Sequence, residues 1–134
     1  MSKFTVSEYV STKEILKFPD HYVALAVMVD DTNVVAGADG RKIVPKGTIV
    51  GGVTDPILLN DQEQVEDKVV PGSPISVDGA EGVLLNDIDV THGAKEGAML
   101  IHGFISIDKL PYGDDNEEVA TLVGDLLPAI KFVK

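Results

Sequence analysis

The residues with the densest potential for chemistry lie between positions 81 and 110. Asp87 and Asp89 flank Ile88 and are followed by His92, which gives the pattern D-x-D-x-x-H. Carboxylates and imidazoles bind divalent metals, so these side chains could form a metal site. The spacing matches no established signature, because H-E-x-x-H, the zinc deaminase pattern and the EF-hand series are absent. The pattern favours two acids on the outer face of a strand and a histidine in a turn, with a metal-dependent enzyme as the alternative.

Acid–base and nucleophilic chemistry have few candidates. The three histidines are His21, His92 and His102, and the chain has no cysteine. A general base needs a partner that orients or tunes it, and no G-x-S-x-G nucleophile elbow is present. The segments GADG and GAEG lack the lysine and hydroxyl residue of a phosphate loop and indicate turns instead. We therefore predict a protein that is not an enzyme and that needs no metal and no cofactor.

Composition and charge restrict the partners. The chain has 134 residues with 11 basic and 22 acidic side chains, a net charge of −11, and Arg41 is its one arginine. Binding to nucleic acid or to an anionic membrane requires clustered basic residues, so neither partner is expected. No stretch approaches the roughly 20 apolar residues of a membrane span, and the first ten residues lack the apolar run of a signal peptide.

The elements that position these residues are predicted to be mainly strands. Turn signals recur about every ten residues between short runs rich in valine, isoleucine and leucine, which indicates a small β-barrel or sandwich. One amphipathic helix is predicted over about residues 116–127, because apolar residues recur at helical spacing and Pro128 follows. The fold class is thus mainly β with one C-terminal helix, in a single domain.

Individual strands and turns follow from local patterns. The segment HYVALAVMV, residues 21–29, favours a buried strand. Pro45 and Gly47 suit the second and fourth positions of a type I turn. Residues 60–74 are polar and predict a surface loop with one short edge strand at most. Alternation places Met99 and Ile101 on the same strand face as Gly103, where the glycine admits a close neighbour.

Residues 1–20 are predicted to form an arm that precedes the domain of residues 21–134. Phe4 and Val6 alternate with polar neighbours, which suits an extended segment that adds a strand to a partner protein. The alternative is that the same residues form the first strand of the domain itself.

Three segments together carry a family resemblance. VPKGTIVGGV at residues 44–53, GVLLNDIDVT at residues 82–91 and GAMLIHGFISIDKLP at residues 97–111 resemble the lambda-type head decoration proteins of tailed bacteriophages and related head-fibre or capsid-stabilising proteins. The resemblance covers roughly residues 34–111, and the second segment is its most specific part. The motif positions are Pro45, Gly47, Thr48, Gly82, Val83, Leu84, Leu85, Asp87, Asp89 and Gly103.

This resemblance implies a β-tulip-like barrel that forms homotrimers on the outer surface of the expanded capsid, at three-fold and quasi-three-fold positions. The partner would be the major capsid protein, and the protein would be made in the host bacterial cytoplasm and retained in the virion. It also implies that an N-terminal arm pairs with the capsid, here through Lys3, Phe4, Thr5, Val6, Ser7, Tyr9 and Val10.

Two further functions remain as alternatives. An apolar strand followed by P-x-G-T also occurs in β-clip or antifreeze-like domains, which suggests a sugar-binding module. The base domain of a head fibre is the other alternative, although the chain leaves no room for a long stalk.

Overall fold

A computed structural model describes residues 15–18, 20–60 and 62–134. These residues form a mainly β fold with a single α-helix near the C-terminal end, which confirms the predicted fold class. The elements in chain order are β1 Val23–Val29, β2 Ile43–Val44, β3 Ile49–Gly52, β4 Gln64–Asp67, β5 Gly82–Leu84, β6 Ile88–Asp89, β7 Lys95–Ser106, α1 Asn116–Leu126 and β8 Ile130–Val133.

Five of these strands close into a ring. The sheet runs β1-β4-β3-β5-β7, and a further antiparallel pairing joins β7 back to β1. β1 and β4 are parallel, whereas the other neighbours in the ring are antiparallel. The ring is a small barrel, and its interior is filled by buried aliphatic side chains such as Val29, Val65 and Met99.

β4 is one of the five strands of the ring. For this segment the sequence predicted a surface loop with one short edge strand at most. β4 pairs with β1 on one side and with β3 on the other. Val65 is fully buried, while Gln64 and Glu66 on either side of it are only partly buried. A strand with one apolar side chain among polar ones carries too weak an alternation to stand out in the sequence.

A bulge in β7 shifts the register of its pairing with β1. Val23 of β1 lies opposite His102 and Ala24 lies opposite Leu100, so Ile101 has no partner on β1. Met99 and the adjacent Leu100 are both fully buried, but in different hydrophobic clusters, and the partly buried Ile101 packs against the cluster that contains Met99. The prediction that Met99 and Ile101 share a strand face therefore agrees with their packing in one cluster.

The described end of the predicted arm belongs to the domain itself. Ile15 and Leu16 are buried in the core beside the helix. The N–H of Ser106 donates to the carbonyl of Ile15 at 2.9 Å, and the N–H of Lys17 donates to the carbonyl of Phe104 at the same distance. The prediction that the arm extends to residue 20 is therefore wrong at its C-terminal end, because residues 15–18 pack along β7 as part of the domain. The predicted capsid-binding positions from Lys3 to Val10 lie outside the described residues.

The helix packs beside the C-terminal part of β7. β8 pairs in parallel with β7 from Gly103 to Ser106, and α1 covers the core beside this pair. Val119 and Val123 are fully buried, as the helical spacing predicts. Leu126, from the same apolar stripe, is instead 47% exposed.

Candidate protein-binding surface

The turn at residues 45–48 fixes the first part of the motif. The N–H of Thr48 donates to the carbonyl of Pro45 at 3.2 Å, so the turn begins at Pro45 and Gly47 is its third residue. Gly47 has φ +88°, which corresponds to a type II turn rather than the predicted type I turn. The buried Thr48 hydroxyl also donates to the Pro45 carbonyl, at 2.6 Å.

The second part of the motif holds this turn in place. The N–H of Gly47 donates to the carbonyl of Leu84 at 2.7 Å, and the N–H of Leu84 donates to the carbonyl of Thr48 at 2.9 Å. The carboxylate of Asp87 accepts the N–H of Lys46 at 2.8 Å. The structure therefore brings these motif positions together, and Asp87 satisfies a backbone donor.

Asp89 has a similar structural role. Its carboxylate accepts the N–H and the hydroxyl of Thr91, and Arg41 donates to it at 3.2 Å. These hydrogen bonds, those from Thr91 first, lower the pKa of Asp89 to about 2. His92 is exposed in the following turn, as predicted. Across the described ranges, no group of three or more histidine and acidic side chains is placed to hold a metal ion.

The other two histidines lie in an exposed aromatic patch, formed by Phe18, His21, Tyr22, His102 and Phe104. The rings of His21 and His102 are 5.4 Å apart, and those of Phe18 and Phe104 are 5.1 Å apart, edge to face. Gly103 lies beneath this patch with φ +154°, and a Cβ there would be 3.1 Å from Cβ of Tyr22. The prediction of a close neighbour at Gly103 is confirmed, and the patch is a surface that could contact a protein.

A second exposed apolar surface lies on the loop of residues 53–60, here called the leucine loop. Leu58 is 58% exposed and Leu59 is 84% exposed. The Glu81 carboxylate holds the loop, because it accepts the N–H groups of Gly52 at 2.7 Å, Ile57 at 2.9 Å and Leu58 at 3.2 Å.

Glu63 anchors the opposite side of the leucine loop. It accepts the N–H groups of Asp55 at 2.7 Å and Thr54 at 3.0 Å, and these bonds lower the pKa of Glu63. Sequence reasoning missed this surface. A signal was present, since two adjacent leucines stand between Pro56 and the turn-forming Asn60 in an otherwise polar segment.

A third feature is a groove beside β4 that joins two adjoining depressions of about 330 and 300 Å³. Both depressions are lined by Asn33, Val34, Val44 and Asp67. At one side the Tyr112 hydroxyl accepts the N–H of Ile49 at 2.8 Å and donates to Asp67 at 3.3 Å. Loss of hydration raises the pKa of Tyr112, and the negative charge of Asp67 raises it further.

Comparisons with protein-family models, with curated proteins and with solved structures find no match to this chain. In the part of the chain that the structure describes, no helix has the length and apolar character needed to cross a bilayer. The function is therefore inferred from the surfaces and from the motif residues.

Proposed function

We propose that this protein is a structural virion protein of the capsid-decoration type. It binds the outer surface of an expanded phage capsid as a homotrimer and stabilises the head, without catalysing a reaction. The observation that carries this proposal is the leucine loop, which presents two exposed apolar side chains on a backbone held by the carboxylates of Glu63 and Glu81.

A fixed apolar loop suits protein binding for a thermodynamic reason. Association costs free energy when side chains and loops must be ordered at the interface, and a loop that is already held avoids part of that cost. Leu58 and Leu59 would each remove apolar surface from water on contact with a partner. The acids of the motif support the same class of function, since Asp87 and Asp89 accept hydrogen bonds from backbone N–H groups of the domain itself.

The proposed capsid contact extends from the N-terminal segment. Residues 15–18 are anchored along β7, so the proposed arm of residues 3–10 precedes a fixed point on the barrel. Main-chain pairing by such an arm gives affinity with little demand on side-chain identity, and three arms in one trimer would add avidity. A trimer that binds only the mature lattice stabilises that state by mass action.

Expanded capsids purified without this protein provide the test. We expect the wild-type protein to sediment with them at a copy number near that of the major capsid protein and to raise their temperature of disruption. A protein that starts at residue 15 should keep its fold and lose binding. Failure of the wild-type protein to bind would refute the decoration function.

The leucine loop is tested separately with L58S/L59S. We expect this variant to weaken trimer formation or capsid binding at least tenfold, measured by analytical ultracentrifugation and by sedimentation with capsids. Val70→Ser is the matched control, because Val70 is 59% exposed and lies outside the loop. Equal behaviour of L58S/L59S and wild type would exclude the loop as a contact.

A further inference from the structure

The groove beside β4 combines an apolar floor with acidic walls. Val29, Val34, Val44 and Val69 supply apolar side chains, while Asp30, Glu66 and Asp67 supply carboxylates. Val35, at the rim of the second depression, is 86% exposed. An apolar channel that carries carboxylates suits a segment whose aliphatic parts contact valines and whose charge is positive.

The carboxylates in the groove differ in the ion pairs and hydrogen bonds that stabilise their negative charge. Glu66 pairs with Lys68 at 3.0 Å and accepts Nδ2 of Asn33 at 3.1 Å. Asp67 accepts the N–H of Val69 at 2.9 Å and the Tyr112 hydroxyl at 3.3 Å, but among the described residues it forms no ion pair. Glu66 in fact adds a repulsive charge beside it.

The environment of Asp67 makes this charge unfavourable in the isolated domain. The residue is exposed overall, yet its carboxylate lies against the groove and Tyr112, and the lost hydration raises its pKa. An incoming cation would favour the ionised form and regain part of the lost solvation free energy.

We propose that this groove binds a partner polypeptide which inserts one arginine side chain beside Asp67, with apolar neighbours that contact Val34 and Val44. A guanidinium group suits the site because it donates several hydrogen bonds from a planar group and its aliphatic stem packs on apolar walls. The inference is independent of the decoration function, since it concerns a different surface from the leucine loop.

The occupant is a different protein rather than a second copy of this chain, because the site suits a guanidinium group. The one arginine of this chain, Arg41, already pairs with Asp89. A partner with a basic or mixed surface is attracted by the net charge of −11.

The test is an amide NMR titration of the full chain with the peptide acetyl-Val-Arg-Val-amide. The matched peptide carries citrulline, which keeps the shape of arginine without its charge. We expect saturable shifts at the amides of Val34, Val44, Val69 and Tyr112 with the arginine peptide, and at least tenfold weaker binding of the citrulline peptide.

Asp67→Asn tests the proposed anchor. The amide keeps an oxygen acceptor for Val69 and Tyr112, so the variant should fold, and urea denaturation checks this. Binding of the arginine peptide should fall at least tenfold in Asp67→Asn and stay unchanged in Asp125→Asn, a control on the exposed side of α1. The absence of saturable shifts, equal binding of the two peptides, or full binding by Asp67→Asn would each overturn the proposal.

Discussion

Carboxylates in this protein accept hydrogen bonds from backbone N–H groups of turns, loops and strand ends. Asp87 accepts the N–H of Lys46, Glu63 accepts that of Asp55, and Glu81 accepts that of Gly52. A buried or half-buried donor without an acceptor costs about 1–3 kcal/mol, and a charged acceptor makes a stronger bond than a neutral one. Some of the many acidic residues therefore stabilise the fold through hydrogen bonds, besides adding to the net charge.

Asp89 gives a pH-dependent prediction at this scale. Its pKa falls from 3.8 to about 2 in the folded protein, so its contribution to the free energy of unfolding is present above about pH 4. That contribution is lost as the pH falls from about 4 towards 2. Asp89→Asn should therefore be less stable than wild type near pH 6, and the difference should shrink near pH 2.

Urea denaturation at several pH values measures this difference. Asp114→Asn, at an exposed position before the helix, serves as the control for the loss of a surface carboxylate. A stability difference between Asp89→Asn and wild type that stays constant from about pH 6 to about pH 2 would contradict the prediction.

The sequence predicted the exposure of the acidic residues better than their partners. Alternation around Ile88 placed Asp87 and Asp89 away from the core, because the side-chain period of a strand is local. Their hydrogen-bond partners could not be predicted from local patterns, since Lys46 and Arg41 lie more than 40 positions away in the chain. A spacing that suggested ligands for a metal thus belongs to a short strand and the turn that follows it.

At the scale of elements, the segment of residues 15–18 that packs along β7 yields a second prediction. Ile15 is 1% exposed and packs with the residues that α1 covers. Ile15→Ala should lower the free energy of unfolding by about 2–5 kcal/mol, because it removes buried carbon and leaves a cavity.

Chemical denaturation of Ile15→Ala beside Val70→Ala provides the measurement. Val70 is 59% exposed, so its replacement should change the free energy of unfolding by less than about 0.5 kcal/mol. If both variants unfold at the wild-type urea concentration, residues 15–18 do not belong to the folded domain.

Elements with strong periodicity were predictable, and those with interrupted periodicity were not. α1 was predicted within one residue of its observed end, because Val119 and Val123 repeat at helical spacing. The bulge that leaves Ile101 without a partner on β1 depends on pairing between two strands that are far apart in the chain. The sequence alone contains no signal for such a long-range register shift.

For the whole molecule, net charge predicts a response to salt. A charge of −11 on a chain of this size repels itself in the compact state, and added salt screens that repulsion. The exposed ion pairs Arg41–Asp89 and Lys134–Glu117 lose attraction too, but exposed pairs contribute little. Sodium chloride between about 0.05 and 1 M should therefore raise the melting temperature.

Differential scanning calorimetry of wild type and of Glu96→Lys/Asp114→Lys tests this response. The two replacements at exposed positions change the net charge by four and should reduce the dependence on salt. A melting temperature that falls as salt is added would show that ion pairs outweigh the repulsion.

Closure of the barrel also determines the order in which the chain can fold. β3 and β4 are near in sequence and can pair early, whereas the partners of β1 among the described strands are β4 and β7, whose first residue is Lys95. During synthesis β1 therefore leaves the ribosome long before its second partner exists. Pairing over such sequence separations is slow, on the order of milliseconds to seconds. The strand that emerges early must stay free of wrong partners until β7 closes the ring.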